Sequence, residues 1–177
     1  MTSSNLRECQ ICARMIRTPH HGCIAKHGYR QPRAWGGNRS GTCLGSDYLP
    51  YDQSCKAIIR AIEITRKFIA GVAEAIEDMQ ASPPEKLAMT RRPQEALKPT
   101  VYLDRPDGFD PHDRPAVYTP RTYESEFWSL FNDRTRAHRD ATGDLKALKE
   151  RLSAWNPPFT LDSNHQEVVD RSTALTV

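Results

Sequence analysis

Cys9-Gln10-Ile11-Cys12, then Cys23-Ile24-Ala25-Lys26-His27-Gly28-Tyr29, then Gly41-Thr42-Cys43-Leu44-Gly45: the fold of this chain turns on how these stretches are read. Two cysteines separated by two residues can aim both sulfurs at one ion while backbone N–H groups turn toward the thiolates. Five cysteines is an odd number, and in a reducing compartment a cluster of them reads as metal ligands, not as a disulfide framework. A structural zinc ion takes four ligands in a tetrahedron. Cys9 and Cys12 supply half, and the groups available for the rest are His20, His21, Cys23, His27, Cys43 and Cys55.

His27 and Cys43 are the expected second half. His27 precedes Gly28, which permits a tight backbone approach, and Cys43 stands in a glycine-rich turn that suits a ligand-bearing knuckle. Cys23 or His21 in place of His27 remains an alternative, since a thiolate is a good zinc ligand. Cys55 begins a predicted helix and reads as a packed thiol. A redox role for the C-x2-C would want a strand before it and a helix after it, a pattern not present. Four strong protein ligands leave no open position for water, so the expected zinc is structural and not catalytic.

Outward from the cysteines, residues 5–50 lack long apolar periodicity and cannot bury enough surface without a staple. Short strands and knuckle turns are expected, with Trp35-Gly36-Gly37-Asn38-Arg39-Ser40-Gly41 as a loop or hairpin tip. Residues 1–56 hold eight Lys/Arg against three acids, a net +5 within an overall charge of +3, so the cysteine-bearing end is the basic one. Arg14, Arg17, Lys26, Arg30, Arg33 and Arg39, interleaved with Tyr29 and Trp35, suit phosphates and the flat faces of unpaired bases. The competing explanation is a solvated surface with the two aromatics packed over the metal. No helix carries a base-reading pattern, so recognition without sequence preference is expected.

Residues 54–80 read as a helix. Ile58, Ile62, Thr65, Ile69, Val72, Ile76 and Met79 fall at alternating spacings of four and three, the seam of a helix packing along another. Asp52 or Ser54 is the expected cap. Residues 81–119 carry prolines 83, 84, 93, 99, 106, 111 and 115 and read as an extended connection, with Thr100–Leu103 as a candidate short strand. Residues 120–156 read as a second helix, with Thr119-Pro120 at its start and Asn156-Pro157-Pro158 at its stop. Phe127, Phe131, Arg134, His138, Ala141, Leu145, Leu148, Leu152 and Trp155 form its seam, and Gly143 is a candidate break. Residues 157–177 read as a flexible tail. The two seams hide either against each other, as an antiparallel helical hairpin, or in a homodimer. Arg134 and His138 interrupt the second seam; such breaks set register, face a partner or snorkel to water.

His112 with Asp110 and Asp113, and Asp104 with Asp107, are the best candidates for acid–base chemistry, but in a Pro-rich stretch they read as turn residues. No Gly-rich phosphate loop or nucleophile elbow occurs, and catalysis is not expected. No apolar run approaches the roughly 20 residues that span a bilayer, and Met1–Arg7 has no apolar core of a secretory signal. A cytoplasmic location with no membrane partner is therefore expected.

The combination Cys9-x2-Cys12, Ile24-Ala25-Lys26-His27-Gly28-Tyr29-Arg30, Cys43-Leu44-Gly45 and Leu49-Pro50-Tyr51 resembles a group of small phage and prophage proteins. These carry C-x2-C, an I-A-[HK]-H-G-Y segment, C-x-G and L-P-Y/F before a long helix. The likeness spans roughly residues 8–60. It implies a zinc-finger-like module with His27 and Cys43 at the matching ligand positions, and a bacterial host cell as the setting. This chain departs from the pattern with Lys26 for a commoner His, Cys23 for an aliphatic residue, and Gln31 inserted before Pro32. The resemblance implies no biochemical task.

Together these features predict a mainly α protein: a zinc-stapled module at 1–53, then a long antiparallel helical hairpin. The expected role is an accessory protein that binds nucleic acid through the basic end. The alternative is an inhibitor or adaptor that binds a host protein through the helical stem.

Overall fold

The structure, a computed structural model, describes residues 5–19, 22–30, 40–89, 100–114 and 121–155. His20, His21, Arg33, Trp35, Arg39, Pro120, the Asn156-Pro157-Pro158 stop and the 157–177 tail lie outside the described residues, as do the side chains of Tyr29 and Arg30. In chain order the elements are β1 (Leu6–Glu8), β2 (Met15–Arg17), β3 (Gly28–Arg30), β4 (Ser40–Thr42), α1 (Lys56–Ala81), β5 (Lys86–Ala88), β6 (Tyr102–Asp104) and α2 (Tyr123–Ser153). The strands form three separate antiparallel pairs, β1 with β2, β3 with β4, and β5 with β6. The chain divides into two compact units, Met1–Ile69 with Arg139–Val177, and Ala70–His138.

In the first unit the seam positions do what their spacing predicts. Cys55, Ile58, Ala61 and Ile62 from the start of α1 share one core with Leu148, Leu152 and Trp155 from the end of α2. Ile58, Ile62 and Leu152 are almost wholly buried, and each such side chain stabilises by roughly 1.5–3 kcal/mol on leaving water. Cys55 is the packed thiol its position suggested. Ser54, not Asp52, caps α1, its Oγ accepting from Lys56 N at 3.2 Å. Asp52 instead pairs with Arg7 at 2.9 Å. A second cap comes from far away: Gln10 Oε1 accepts from Ala57 N at 2.9 Å, satisfying one of the orphan donors of the first turn.

In the second unit the end of α1 and the start of α2 bury Met79, Tyr123, Phe127 and Trp128, with Phe131 packed alongside. The Pro-rich connection is more structured than an extended linker. Its β5–β6 ladder places Leu87 opposite Leu103, Leu87 joins the same core, and Phe109 meets Tyr123 and Phe127 edge-on at 5.0 and 4.9 Å. No proline falls inside these two strands, so the ladder forms while prolines sit in the segments beside it. The expected strand at Thr100–Leu103 appears two residues later. Arg134 does not snorkel to water; its guanidinium donates to the Ala75 carbonyl of α1 at 3.1 Å.

The start of α2 lies three residues beyond the proline-based expectation. Thr122 Oγ1 accepts from Ser125 N at 3.2 Å and Ser125 Oγ accepts from Thr122 N at 3.1 Å, a reciprocal capping box that outweighs the N1 preference of Pro120. Gly143 does not split α2. Its cost of about 1 kcal/mol relative to Ala is small beside the burial of Ala141, Leu148 and Leu152 that flank it.

Candidate metal centre

The β1–β2 hairpin carries Cys9, Gln10, Ile11 and Cys12 at its tip. Cys9 N donates to Arg14 O at 2.9 Å and Ala13 N to Cys9 O at 3.1 Å, so the tip closes on itself, with Ala13 in the left-handed region at φ 58°. The β3–β4 ladder supplies the other half from its open end. His27 immediately precedes Gly28 and Cys43 immediately follows Thr42, the two residues paired at that end, and Cys43 N donates to His27 O at 3.0 Å. Antiparallel pairing thus makes neighbours of two residues sixteen apart in sequence. The hairpins are stitched together by Ala25 N to Arg17 O at 2.9 Å.

Cys9, Cys12, His27 and Cys43 come together with their ligand atoms all within 4.8 Å of one another, an arrangement that can hold a metal ion. Cys9 Sγ and Cys43 Sγ are 3.8 Å apart, and Cys12 Sγ lies 3.3 Å from His27 Nε2. None of the five cysteines is in a disulfide. Cys23, the rival thiol, is half-buried and is not one of the four, and His21 lies outside the described residues.

Hydrogen bonds around the cluster set the tautomer of His27 and link Cys9 to Cys43. His27 Nδ1 donates to the Ala25 carbonyl at 2.8 Å, which leaves Nε2 with its lone pair facing Cys12. Ser46 Oγ sits 3.2 Å from the same Nδ1 and accepts from His27 N at 3.4 Å. Cys9 Sγ and Cys43 Sγ share a hydrogen bond in which either thiol can donate, and this bond, aided by the Cys12 and Ile11 backbone N–H groups, lowers the Cys9 thiol against the opposing effect of burial. The same bond and burial push the Cys43 thiol up, while Gly45 N–H pulls it down. A cation placed between the two sulfurs would take the place of that hydrogen bond and favour both thiolates.

Gly45 makes the closest approach in the site. A Cβ there would overlap Cys9 Sγ and touch Ile11 Cγ1 at 3.4 Å. Gly28, the expected site of close approach, has nothing within 4 Å of such a Cβ. The tight approach expected at Gly28 is made at Gly45 instead, and His27 owes its place in the cluster to the β3–β4 register.

Of the basic residues proposed for phosphate contact, Arg17 and Lys26 are exposed. Arg14 is also exposed but already engaged: Nε donates to Cys12 Sγ at 3.4 Å, and a terminal nitrogen donates to the Gly28 carbonyl. Arg30 supplies backbone to β3. Sequence reasoning missed Gln10, wholly buried, whose Nε2 donates to Leu49 O at 2.6 Å while Oε1 caps α1. It also missed Arg151, which reaches the Cys9–Cys12 turn from the last turn of α2. No local signal marks either one, because the partners are 47 and 141 residues away.

Outside this site, Asp110 and His112 serve a turn, with Asp110 Oδ1 accepting from His112 N at 2.8 Å. Among the described residues no helix is long and apolar enough to cross a membrane. Comparison of the chain with protein-family models, with curated proteins and with solved structures finds no match.

Proposed function

We propose that Cys9, Cys12, His27 and Cys43 hold one structural zinc ion, and that the basic module built around it binds nucleic acid without sequence preference. The observation that carries the metal reading is the spacing of the ligand atoms. Zinc–sulfur bonds of about 2.3 Å put two sulfurs of a tetrahedral site about 3.8 Å apart, and Cys9 and Cys43 stand at 3.8 Å. Three thiolates and an imidazole favour zinc over the harder cations that prefer oxygen. Four protein ligands also leave no position for a reacting water, so the role is to hold the fold.

The nucleic-acid reading is supported by the net +5 of residues 1–56 and by the exposure of Arg17 and Lys26 on the module that bears the site. The phage-type resemblance of residues 8–60 suits an accessory protein in the cytoplasm of a bacterial host, where thiols stay reduced. The pairing of opposite ends of α1 and α2 within each unit supports an antiparallel helical hairpin. Because that pairing buries Leu148 and Leu152 in the chain's own core, a dimer or a host-protein adaptor through these seams is the less favoured reading.

Two measurements test the proposal. Elemental analysis of the purified protein should give one zinc per chain, lost on substitution of Cys9, His27 or Cys43 and kept in Cys23→Ser. Binding to short DNA or RNA should weaken with salt, with a slope of about −0.9 per duplex phosphate contacted. Arg17→Ala and Lys26→Ala should each flatten that slope by about 1. A chain without metal under reducing conditions overturns the first half. Absent or salt-independent nucleic-acid binding overturns the second.

A further inference from the structure

Arg151 makes a set of contacts that its place in the last turn of an exposed-faced helix does not require. Its Nε donates to the Gln10 carbonyl at 2.6 Å, and one terminal nitrogen donates both to the Cys9 carbonyl at 3.0 Å and to Glu8 Oε1 at 2.7 Å. The guanidinium carbon lies 4.1 Å from the centre of the Tyr51 ring, and the Tyr51 hydroxyl donates back to the Arg151 carbonyl at 2.8 Å. Trp155 Nε1 adds a bond to the Tyr51 carbonyl at 2.7 Å. The fork is therefore held on its edge, on its face and through its own backbone.

Peptide geometry gives these contacts a chemical consequence. The carbonyl of Gln10 and the N–H of Ile11 belong to one planar trans peptide, so they point in opposite directions. Arg151 takes the carbonyl end, which leaves the N–H end facing the side of the turn where Gly45 packs against Ile11 N and Cys9 Sγ. A cationic donor on the Gln10 carbonyl polarises that peptide and makes its N–H, on the ligand side of the turn, a stronger donor. Three thiolates, one imidazole and a dication also leave the centre with a net negative charge, which a nearby guanidinium offsets.

Resting on the metal reading above, we infer that Arg151 is a positioning residue of the centre: by donating to the Cys9 and Gln10 carbonyls it fixes the turn that carries the ligands Cys9 and Cys12. Metal affinity is thereby tied to the docking of the last turn of α2 on the Cys9–Cys12 turn. A lysine is a point charge that cannot serve two carbonyls and a carboxylate in one plane, so it replaces Arg151 only in part.

The test uses the full-length chain, stripped of metal, titrated with Zn2+ against a chromophoric chelator and separately with Co2+ as a spectroscopic probe. Arg151→Ala should weaken Zn2+ binding about 10–100-fold, the usual effect of losing an outer partner of a ligand. It should also move the thiolate-to-Co2+ charge-transfer band to lower energy, because a ligand sulfur beside a less polarised, less firmly held peptide N–H keeps more electron density and gives it up more readily. Arg151→Lys should fall between wild type and Arg151→Ala in both readouts. Tyr51→Phe loosens the same helix end without removing a donor from the turn. It should lower the unfolding midpoint and leave the band where it is.

Wild-type affinity and an unmoved band in Arg151→Ala overturn the inference while leaving the metal site intact. Should Arg151→Ala fail to fold, an unmoved band and wild-type affinity in a folded Arg151→Lys do the same. A wild-type chain that binds neither ion overturns the metal reading, and this inference with it.

Discussion

Replacing Gly45 by alanine tests the geometry of the site at its tightest point. Gly45 is buried and its φ is not positive, so a methyl group there strains no backbone. The conflict is purely spatial: the new Cβ would occupy the volume of Cys9 Sγ, with Ile11 Cγ1 at 3.4 Å and Ile11 N at 3.5 Å closing off escape. Non-bonded heavy atoms settle about 3.5–4.0 Å apart, so the sulfur would have to retreat by about 1 Å. Ligand distances tolerate about 0.2 Å, so a displaced Cys9 stops being a proper ligand. Overpacking of this kind costs about 1–3 kcal/mol, which at about 1.4 kcal/mol per tenfold weakens metal binding about 10–100-fold. Competition titration of metal-free protein against a chelator measures that loss directly. Gly28→Ala is the matched comparison, since its Cβ meets nothing within 4 Å, and it should bind like wild type. Equal affinities for Gly45→Ala and Gly28→Ala would refute the close approach of Gly45 to the Cys9 sulfur.

Two further outcomes follow from buried polar groups. Gln10→Ala leaves the Ala57 N–H and the Leu49 carbonyl without their partner, which should destabilise the chain by about 1–3 kcal/mol, read as a lower urea midpoint at unchanged slope. For Asp144, burial first and then the neighbouring Asp140 push the carboxyl above its ordinary 3.8, and one buried oxygen has no hydrogen-bond partner among the described residues. A raised carboxyl favours the folded state only while protonated. Its contribution is present below about pH 3.8 and is lost as pH rises through the higher folded value. Asp144→Asn should therefore raise the thermal midpoint at pH 7, by an amount worth up to about 0.5 kcal/mol, and flatten the acid side of the stability profile. A lower midpoint at pH 7 would refute that sign.

Much of the site was legible because its signals are local. Cys9-x2-Cys12 announces two ligands within one turn, and the four-three spacing of Ile58, Ile62 and Thr65, or of Leu145, Leu148 and Leu152, announces a buried stripe whatever lies opposite. Thr122, by contrast, is not legible as a cap, because a proline preference is visible in a list of residues and a reciprocal hydroxyl bond is not. The β5–β6 ladder is hidden for a similar reason. Proline density argues against long elements, yet three-residue strands fit between prolines once Leu87 and Leu103 have a shared aromatic core to join.

The sequence by itself determined the chemistry of the ligands, the number and register of the helical seams, and the basic character of the module. Only the tertiary structure decided that His27 and not Cys23 completes the cluster, because the β3–β4 register alone sets His27 beside Cys43. It likewise decided that Gly45 yields space to Cys9, that Gln10 caps α1, and that Arg151 donates to the Gln10 and Cys9 carbonyls. The physical reason is range. Spacing, capping and charge act over one or two turns of chain, whereas a hydrogen bond between residues 141 apart exists only after packing has brought its two ends together.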